Sequence, residues 1–431
     1  MKLVTKVIMV IGTLLALAVI SQNASAYSDP SEAIDTLWVT IASALVFVMV
    51  PGLALFYGGM LRKQIMTSTL AQCMLAMALV YFIWAFVGYS LAFSGDIAGF
   101  IGNLDWAFLT MSYTDPNIYG EGGISDLLFQ GMFAGVTACI IVGASAERVR
   151  FSVIMAFLAL WSILVYAPMA HMVWGGGLLT EIFGQETLDW AGGTVVHICS
   201  GITGVAIVLV LGNISTRTVK DRPHNIPLMF LGAILIWFGW FGFNGGAGSM
   251  DEIGIILMNT LLASLAGMMT WTAIQMITVG RMSVTGACAG MIAGLVTITP
   301  ACMYVEAYAA VIMAVMGAAI CYFGIQFLKK KVPAVDDALD VFGLHGLGGI
   351  WGAIGTGIFA TAALSGERGL IEGSISLLGA QIAAVAFTLI FCFAVSYAII
   401  KVLSIFMRIR LTEEEEMIGA DIIEHGESAY N

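Results

Sequence analysis

The chain has 431 residues, of which 60% are hydrophobic and only 10% are charged, and its mean hydropathy is +0.96. A soluble domain carries about 25% charged residues, so this composition excludes a water-exposed globular surface and indicates a membrane protein. The formal net charge of -11 argues against a nucleic-acid partner. The seven cysteines lie mostly inside apolar runs, which is not how a disulfide framework is laid out.

The first 26 residues have the pattern of a cleaved signal peptide. Lys2 and Lys6 precede a short apolar run that ends in Ala24-Ser25-Ala26. A positive region, an apolar region and a small-residue cleavage site therefore follow one another in the expected order. We expect cleavage to leave Tyr27 outside the membrane, and the alternative is an uncleaved first span.

Eleven further apolar segments are long enough to be membrane spans, which need roughly 20 apolar residues each. The sequence therefore predicts an all-α polytopic membrane protein with eleven transmembrane helices. The predicted spans lie near residues 34–61, 67–94, 125–146, 151–173, 190–212, 226–245, 253–279, 284–300, 303–328, 340–363 and 374–407.

The segments that connect these spans alternate in charge. The first connection carries Arg62-Lys63, the second is acidic from Asp96 to Asp126, and the alternation continues to the end of the chain. Of the 17 Lys and Arg residues, two lie in the signal peptide, and of the rest only Arg368 lies on the acidic side. The positive-inside rule predicts an external amino terminus and a cytoplasmic tail of residues 409–431. We expect a multi-pass protein of the cell inner (cytoplasmic) membrane.

Two pairs of similar segments indicate an internal repeat. "LFYGGM" in the first span resembles "GFNGGA" in the sixth, and "TVVHICSG" in the fifth resembles "FGLHGLGG" in the tenth. Because five spans are an odd number, the two halves must cross the membrane in opposite senses, which is the inverted-repeat plan of many transporters. Chance similarity of glycine-rich helices is the alternative. The predicted transmembrane domain, 33–408, comprises repeat one (about 33–213), repeat two (about 225–363) and a long last helix (about 374–408).

His197 and His345 occupy equivalent places in the two predicted halves and would meet in the middle of the bilayer. Ionisable residues at this depth are costly and mark a pathway or a site. The alternative for either residue alone is a core imidazole bonded to a backbone carbonyl. Burial favours neutral imidazoles, each with one donor and one acceptor nitrogen. Such a pair suits a neutral polar molecule, and its apolar neighbours do not suit a bare cation.

Aromatic residues gather at the predicted external ends of three spans, in "FQGMF" (129–133), "HMVWGGG" (171–177) and "WFGWFGFNGG" (237–246). Aromatic faces attract cations, more strongly once water is removed, and an interfacial aromatic belt is the alternative. Asp189 begins the fifth span, where a carboxylate can cap the helix and help to bind a cation. We favour the structural role for Asp189.

These features together favour one substrate. Ammonium and potassium ions are nearly alike in size and charge, so a cavity alone separates them poorly. Only ammonium can lose a proton and become a small neutral molecule. Moving an ion into an apolar medium costs tens of kcal/mol on the Born estimate, whereas an unpaired neutral polar group costs a few. A dry pore with a neutral histidine pair is therefore expected to select by deprotonation.

Eight segments carry a resemblance to a known family. They are "PGLALFYGGMLRK", "FQGMF", "GASAERVRF", "AHMVWGGGLL", "DWAGGTVVH", "WFGFNGG", "DDALDVFGLHGLGGIWG" and the tail "DIIEHGESAY". Together they resemble the ammonium transporter family (Amt/MEP/Rh), on its bacterial and archaeal Amt side, over essentially the whole mature chain. The resemblance implies an eleven-span fold of two inverted five-helix halves, assembled as a homotrimer with one pore per subunit.

The resemblance also implies roles for individual residues in the pore. His197 and His345 would be the twin pore histidines. Phe133 and Phe243 would be the stacked phenylalanines that form the outer gate. The role of the histidines agrees with the one that the residues themselves suggest, whereas the gate is implied by the resemblance alone.

The outer ammonium site would be formed by Trp174 with Phe133, while Trp240 would line the pore and Asp189 would give structural support. The family's outer site also uses a serine in a pattern like F-N-A-G-S. Here that position is Ala247, and Ser249 lies two residues further on. We expect weaker capture of ammonium at this position unless Ser249 or water substitutes.

The tail resembles the family's tail that packs under neighbouring subunits. In the family this region takes part in regulation by the trimeric nitrogen-signalling PII protein, which blocks the cytoplasmic exit. The expected partners are thus ammonium or ammonia (with methylammonium as an analogue), membrane lipid, two further copies of the chain and a PII-type protein. No cofactor or metal is expected.

Two other functions are alternatives at this point, and a third is not expected. A sensor would bind ammonium and signal through a partner protein. An electron-transfer protein would use His197 and His345 as axial haem ligands. An enzyme is not expected, since the sequence has no nucleotide-binding loop, paired-carboxylate site or metal cluster.

Overall fold

A computed structural model describes residues 30–110, 123–215 and 223–430, and these ranges are built almost entirely of helices. The predicted signal peptide lies outside them, as do Arg217, Lys220 and Arg222 of one basic connection. The long helices are α1 (Pro30–Met60), α2 (Lys63–Phe93), α3 (Ile124–Ser145), α4 (Phe151–Trp174), α5 (Gly193–Leu211), α6 (Ile226–Gly245), α7 (Ile253–Val279), α8 (Val284–Ile298), α9 (Ala307–Lys331), α10 (Phe342–Gly346 continued by Leu347–Phe359) and α11 (Ser376–Phe406).

Nine of these helices, within the described ranges, are long and apolar enough to cross a membrane. The predicted all-α membrane fold is confirmed. The other two predicted spans correspond to α8, which has 15 residues, and to α10, which is divided between two helical stretches. The count of eleven spans therefore remains a prediction.

Short elements fill the connections. β1 (Glu181–Ile182) and β2 (Gln185–Glu186) form an antiparallel hairpin in which Glu181 pairs with Glu186. Single helical turns lie at Ala107–Leu109, Ala362–Ser365 and Leu370–Glu372. After α11 the tail forms α12 (Glu413–Ile418) and a π-helical turn at Asp421–His425.

Polar contacts define two ends of the bundle. One end, here called the basic side, joins the connections that carry Arg62 and Arg150 to the tail, and an ion pair links Arg62 to Glu147. The opposite end, here called the acidic side, joins the connections after α2, α4 and α10. There the Gln185 side chain donates a hydrogen bond to Glu367.

The centre of the bundle is formed by α3, α5 and α10. In their most apolar stretches, 89% of α3 and 83% of α5 are buried, against 33% of α2 and α11, whose outer faces are apolar and exposed. Small residues let the central helices approach closely, as is common between membrane helices. A methyl group added to Gly201 on α5 would lie 2.6 Å from the backbone nitrogen of Gly346 on α10, so glycine is required at this crossing.

The tail packs on the basic side of its own subunit. Arg150, at the start of α4, forms ion pairs with Glu415 (2.8 Å) and Glu424 (2.9 Å). The Asp421 carboxylate accepts the backbone N–H of Ser68 near the start of α2 (2.7 Å). An acidic segment that alone would only be a solvated appendage is thus held by specific charge-assisted hydrogen bonds.

Candidate functional site

His197 and His345 contact each other in the centre of the bundle. The Nδ1 atoms are 3.1 Å apart and the ring centroids 5.2 Å apart. His197 is fully buried and His345 is 5% exposed. Since Nδ1 faces Nδ1, one ring must donate and the other must accept, so at most one of the two rings can carry a second proton.

Both histidines lie in π-helical turns, Gly193–Ile198 on α5 and Phe342–Gly346 on α10. Such turns widen the helix and are frequent at functional sites. The turn on α5 follows Gly192, whose φ of +100° lies in the left-handed region where glycine is favoured. The glycine-rich sequence around each histidine therefore serves both the helix crossing and the local backbone geometry.

The direct contact between the histidines leaves no room for them to bind one haem as axial ligands through their Nδ1 atoms. Two axial nitrogens would lie on opposite faces of the porphyrin, roughly 4 Å apart if each bond were near 2.0–2.1 Å as for other metal–imidazole bonds. Here the two Nδ1 atoms are 3.1 Å apart, with no space for a macrocycle between them. The geometry of the two Nδ1 atoms therefore does not favour the electron-transfer alternative.

An aromatic column adjoins the histidine pair. The rings of Phe133 and Phe243 stack with centroids 4.2 Å apart and planes inclined by 29°. Phe243 in turn stacks on His197 (5.9 Å), and His197 stacks on Trp240 (5.4 Å). The stacked phenylalanine pair thus lies between the acidic side and the histidines, and both of its rings are buried.

Trp240 borders a narrow cavity of about 20 Å³ that also touches His345. Its indole N–H donates to the Thr299 hydroxyl (3.0 Å), which fixes the ring orientation. Most of the other lining residues are aliphatic or aromatic, among them Leu53, Val136 and Ile292. The walls of this cavity offer few groups that could offset the cost of removing a bare ion from water, because a buried charge requires a partner of opposite charge or hydrogen bonds.

Trp174 lies on the outer side of the phenylalanine pair and is half-buried. Its ring meets Phe133 edge-on, with centroids 6.1 Å apart, and its indole N–H donates to the main-chain oxygen of Asp189 (2.8 Å). The hydrogen bond orients the ring and leaves part of its surface accessible. Two aromatic rings at right angles are a suitable surface for a monovalent cation.

Asp189 is 8% exposed, and its carboxylate accepts hydrogen bonds from the residues at the start of α5. One oxygen accepts the N–H groups of Gly192 (3.0 Å) and Gly193 (2.6 Å), and the other accepts the N–H (2.8 Å) and the hydroxyl of Thr194. Burial raises the pKa of Asp189 above its usual value, and these four hydrogen bonds oppose the rise. Its contacts are those of a helix cap, as favoured above.

Ala247, at the position where the family resemblance implies a serine, is exposed at the acidic side. Ser249 does not replace it, because its hydroxyl donates to Glu252 (3.0 Å), as does its backbone N–H (2.9 Å). This contact lies just before α7 and engages the hydroxyl proton with Glu252, so the proton is not presented to the aromatic rings.

Two polar residues near the site were not singled out from the sequence. Asp337 precedes His345 by eight residues, as Asp189 precedes His197, and this equal spacing was a signal available in the sequence. Gln381 on α11 is 2% exposed and exchanges two hydrogen bonds with the backbone of Leu188 (2.9 and 2.8 Å). Its role depends on a contact between distant segments, so no local pattern reveals it.

Comparison with known proteins places the chain among membrane transporters. Residues 37–430 match the model of the Ammonium Transporter Family. The "Ammonium transporter" of Bacillus subtilis is 45% identical over 402 residues, which are 92% of this chain and 98% of that protein. "Ammonium transporter Amt1" of Archaeoglobus fulgidus is 38% identical over 404 residues, covering 92% of this chain and 99% of that protein.

Solved structures share the fold as well. The crystal structure of Candida albicans Mep2 has a TM-score of 0.82 at 37% identity, covering 92% of this chain and 90% of that chain. A structure named "Sensor Amt Protein" has a TM-score of 0.85 at 27% identity, covering 93% and 100%. Both likenesses extend over nearly the whole chain.

Proposed function

This chain belongs to the ammonium transporter family, and we propose that it captures ammonium at the acidic side, removes its proton and conducts ammonia past the His197–His345 pair. The observation that carries this mechanism is the 3.1 Å contact between the two Nδ1 atoms in an apolar enclosure. The proton returns by a separate or linked route.

Capture begins at Trp174 and Phe133. Their perpendicular rings attract a cation electrostatically, and the attraction grows as the ion loses water. Asp189 contributes through structure, since its carboxylate caps α5 and its main-chain oxygen holds the Trp174 indole. With Ala247 in place of a serine, this outer site has one hydroxyl fewer to bind the ion.

Selection takes place beyond the gate formed by Phe133 and Phe243. An ion that passed the stacked rings would lose its hydration and meet mainly apolar walls, at a Born cost of tens of kcal/mol. Ammonia avoids this cost because it is neutral. Potassium has no proton to lose, so the same passage excludes it.

The histidine pair provides the polar contacts of the passage. When one Nδ1 donates to the other, the two outward nitrogens are left to offer hydrogen bonds to a passing molecule. The Nε2 atom of His197 is buried and has no hydrogen-bond partner among the described residues. A small molecule that both donates and accepts, as ammonia does, satisfies such a group without bringing a charge.

We propose that the basic side faces the cytoplasm and the acidic side the exterior, in the inner membrane. The positive-inside rule supports this orientation, since Arg368 is the one basic residue on the acidic side after the predicted signal peptide of residues 1–26. Two inverted repeats, about 33–213 and 225–363, would then form the pore between them.

We further propose that three subunits assemble, each with its own pore, and that a PII-type protein binds at the basic side. The family membership supports the homotrimer. The docked tail supports regulation there, since the ion pairs of Arg150 with Glu415 and Glu424 hold it beside the pore exit. The sensor alternative is not favoured, because the relatives at 38% and 45% identity are named transporters and the sensor structure shares only 27%.

Radiotracer uptake of methylammonium in reconstituted vesicles tests the mechanism. The parent protein and two variants, His197→Ala and His345→Ala, are compared at equal amounts of folded protein. We expect each variant to lose selectivity or most of its flux, because one imidazole alone leaves its partner's Nδ1 unpaired. Unchanged rate and selectivity in both variants would refute the role of the pair.

A further inference from the structure

A cavity of about 780 Å³ lies at the basic side next to the start of α10. Leu339 lines this cavity and also the narrow cavity at His345, so it forms a wall common to both. A molecule that leaves the histidine pair toward the basic side therefore enters a much wider space. The charged residues lining this wide space, here called the inner vestibule, are Arg62, Glu147, Lys329, Asp336, Asp337 and Asp340.

Among the described lining residues, four carboxylates outnumber two basic side chains, and both of these basic side chains are paired. The Asp336 carboxylate also has a partner, the backbone N–H of Ile214 (2.7 Å). The two ion pairs of the vestibule are Arg62 with Glu147 (3.3 Å) and Lys329 with Asp340 (2.7 Å).

Asp337 differs from these residues. It is 7% exposed, and one carboxylate oxygen, Oδ2, accepts the backbone N–H of Phe342 (2.7 Å). The other oxygen, Oδ1, is buried and accepts no hydrogen bond from any described residue. A buried carboxylate oxygen without a donor is unfavourable, and a bound cation that donates a hydrogen bond relieves the penalty.

Asp189 provides the comparison at the other end of the pore. Each aspartate precedes its histidine by eight residues and accepts N–H groups at the start of the histidine helix. Four donors occupy both oxygens of Asp189, whereas Asp337 keeps one oxygen free. Hydrogen bonds from the helix start therefore occupy both oxygens of Asp189, whereas at Asp337 the hydrogen bond from Phe342 occupies Oδ2 and leaves Oδ1 without one among the described residues.

We propose that Asp337 is an ammonium-binding site in the inner vestibule. This inference rests on the proposed function. Ammonia leaving the histidine pair takes a proton from hydronium in the vestibule, giving ammonium and water. The new ammonium ion donates one hydrogen bond to Oδ1 of Asp337 and the rest to water, and then diffuses out.

The charge state of Asp337 agrees with this role. Burial, assisted by the nearby Asp340 carboxylate, raises the pKa of Asp337 to about 6, and the nearby backbone N–H groups of Phe342, Val341 and Leu339 oppose this rise. The carboxylate is therefore mostly ionised at neutral pH. In the part of the chain that the structure describes, the titratable and charged groups around it are Tyr57 on α1, Arg62, Glu147 and Arg148 at the basic ends of α1 and α3, Lys329 on α9, and Asp336 and Asp340 in its own loop.

The test compares methylammonium uptake from the two sides, in right-side-out and inside-out membrane vesicles. In Asp337→Asn the amide oxygen can still accept the Phe342 N–H, while the charge is lost. We expect the half-saturating concentration to rise about tenfold from the basic side, the usual effect of losing one charge-assisted hydrogen bond. From the acidic side it should change by less than about twofold. Equal values for parent and variant from both sides would overturn the inference.

Asp336→Asn is the matched control, because it removes the same charge from the same vestibule. A tenfold rise in this control would also overturn the inference, since the effect would then belong to the general potential of the cavity. A parent that takes up no methylammonium from either side would instead contradict the proposed function.

Crystals of the parent soaked in thallium(I), a monovalent cation close in size to ammonium, give a test independent of transport and of the folding of the variant. We expect an anomalous peak within contact distance of Asp337 Oδ1. Thallium sites elsewhere only would overturn the inference.

Discussion

Gly201 on α5 packs directly against Gly346 on α10, and this contact sets the distance between the two histidine helices. A methyl group at Gly201 would approach the backbone nitrogen of Gly346 to 2.6 Å, a distance at which the helices must move apart. His345 immediately precedes Gly346, so any separation of the backbones is passed to the 3.1 Å contact between the imidazoles. Close backbone packing and the histidine pair are therefore one structural feature.

Gly201→Ala is predicted to reduce methylammonium flux at least tenfold and to destabilise the protein by about 1–3 kcal/mol through overpacking. Thermal unfolding of the purified protein and vesicle uptake measure the two effects. Gly379→Ala on α11 is the control, since a methyl group there meets nothing within 4 Å. It should be neutral or slightly stabilising, because alanine is favoured in a helix by up to about 1 kcal/mol. Equal behaviour of the two variants would contradict the proposed role of the crossing.

Ala247→Ser is predicted to lower the half-saturating concentration of ammonium from the acidic side, because it adds a hydroxyl beside the aromatic rings of the outer site. The concentration dependence of uptake measures this effect. Ser249→Ala should leave capture unchanged, since the Ser249 hydroxyl is bound to Glu252. No change in Ala247→Ser would count against the missing hydroxyl as a determinant of affinity.

Gln381→Leu is predicted to destabilise the protein by about 2–4 kcal/mol and to weaken capture. The substitution leaves the backbone N–H and oxygen of Leu188, and the oxygen of Ala353, without their side-chain partner. Since Leu188 precedes Asp189, the outer site loses its support from α11. Thr388→Val on the same helix is the control, because the Thr388 hydroxyl bonds only within the helix, to Ala384. Thermal unfolding and the half-saturating concentration should both distinguish the two variants, and matching results would disprove the role of Gln381.

Uptake from the basic side is predicted to weaken as the pH on that side falls through about 6. The pKa of Asp337 is raised to about 6, so the carboxyl gains a proton and loses its charge below that value. Methylammonium stays charged throughout, since alkylamines titrate near the lysine value of about 10.4. The half-saturating concentration should rise at low pH in the parent and stay flat in Asp337→Asn. A similar pH profile in both proteins would contradict the prediction.

Much of the architecture was predictable from the sequence because apolar runs and alternating charge are local signals. The positions of the long helices follow from them, and the repeated glycine-histidine segments indicated that His197 and His345 would meet. The stacking of Phe133 on Phe243 agrees with the role that the family resemblance implies.

The remaining features depend on contacts between distant segments. Gln381 and Leu188 are 193 residues apart in the sequence. Nothing in an apolar 31-residue helix indicates that its glutamine forms hydrogen bonds to the backbone of the loop that contains Leu188. The docking of the acidic tail on Arg150 is equally non-local. Whether Oδ1 of Asp337 accepts a hydrogen bond depends on which N–H groups come within reach in the folded chain. The sequence could therefore indicate Asp337 by its spacing from His345, but not that one of its oxygens lacks a hydrogen bond.

The most direct test of the central claim is the comparison of ammonium and potassium transport by the parent protein in reconstituted vesicles, with equal gradients and both radiotracer and electrical detection. If the passage selects by deprotonation, ammonium and methylammonium will be taken up while potassium uptake stays at the level of protein-free vesicles. Potassium uptake at rates like those of ammonium would contradict the account.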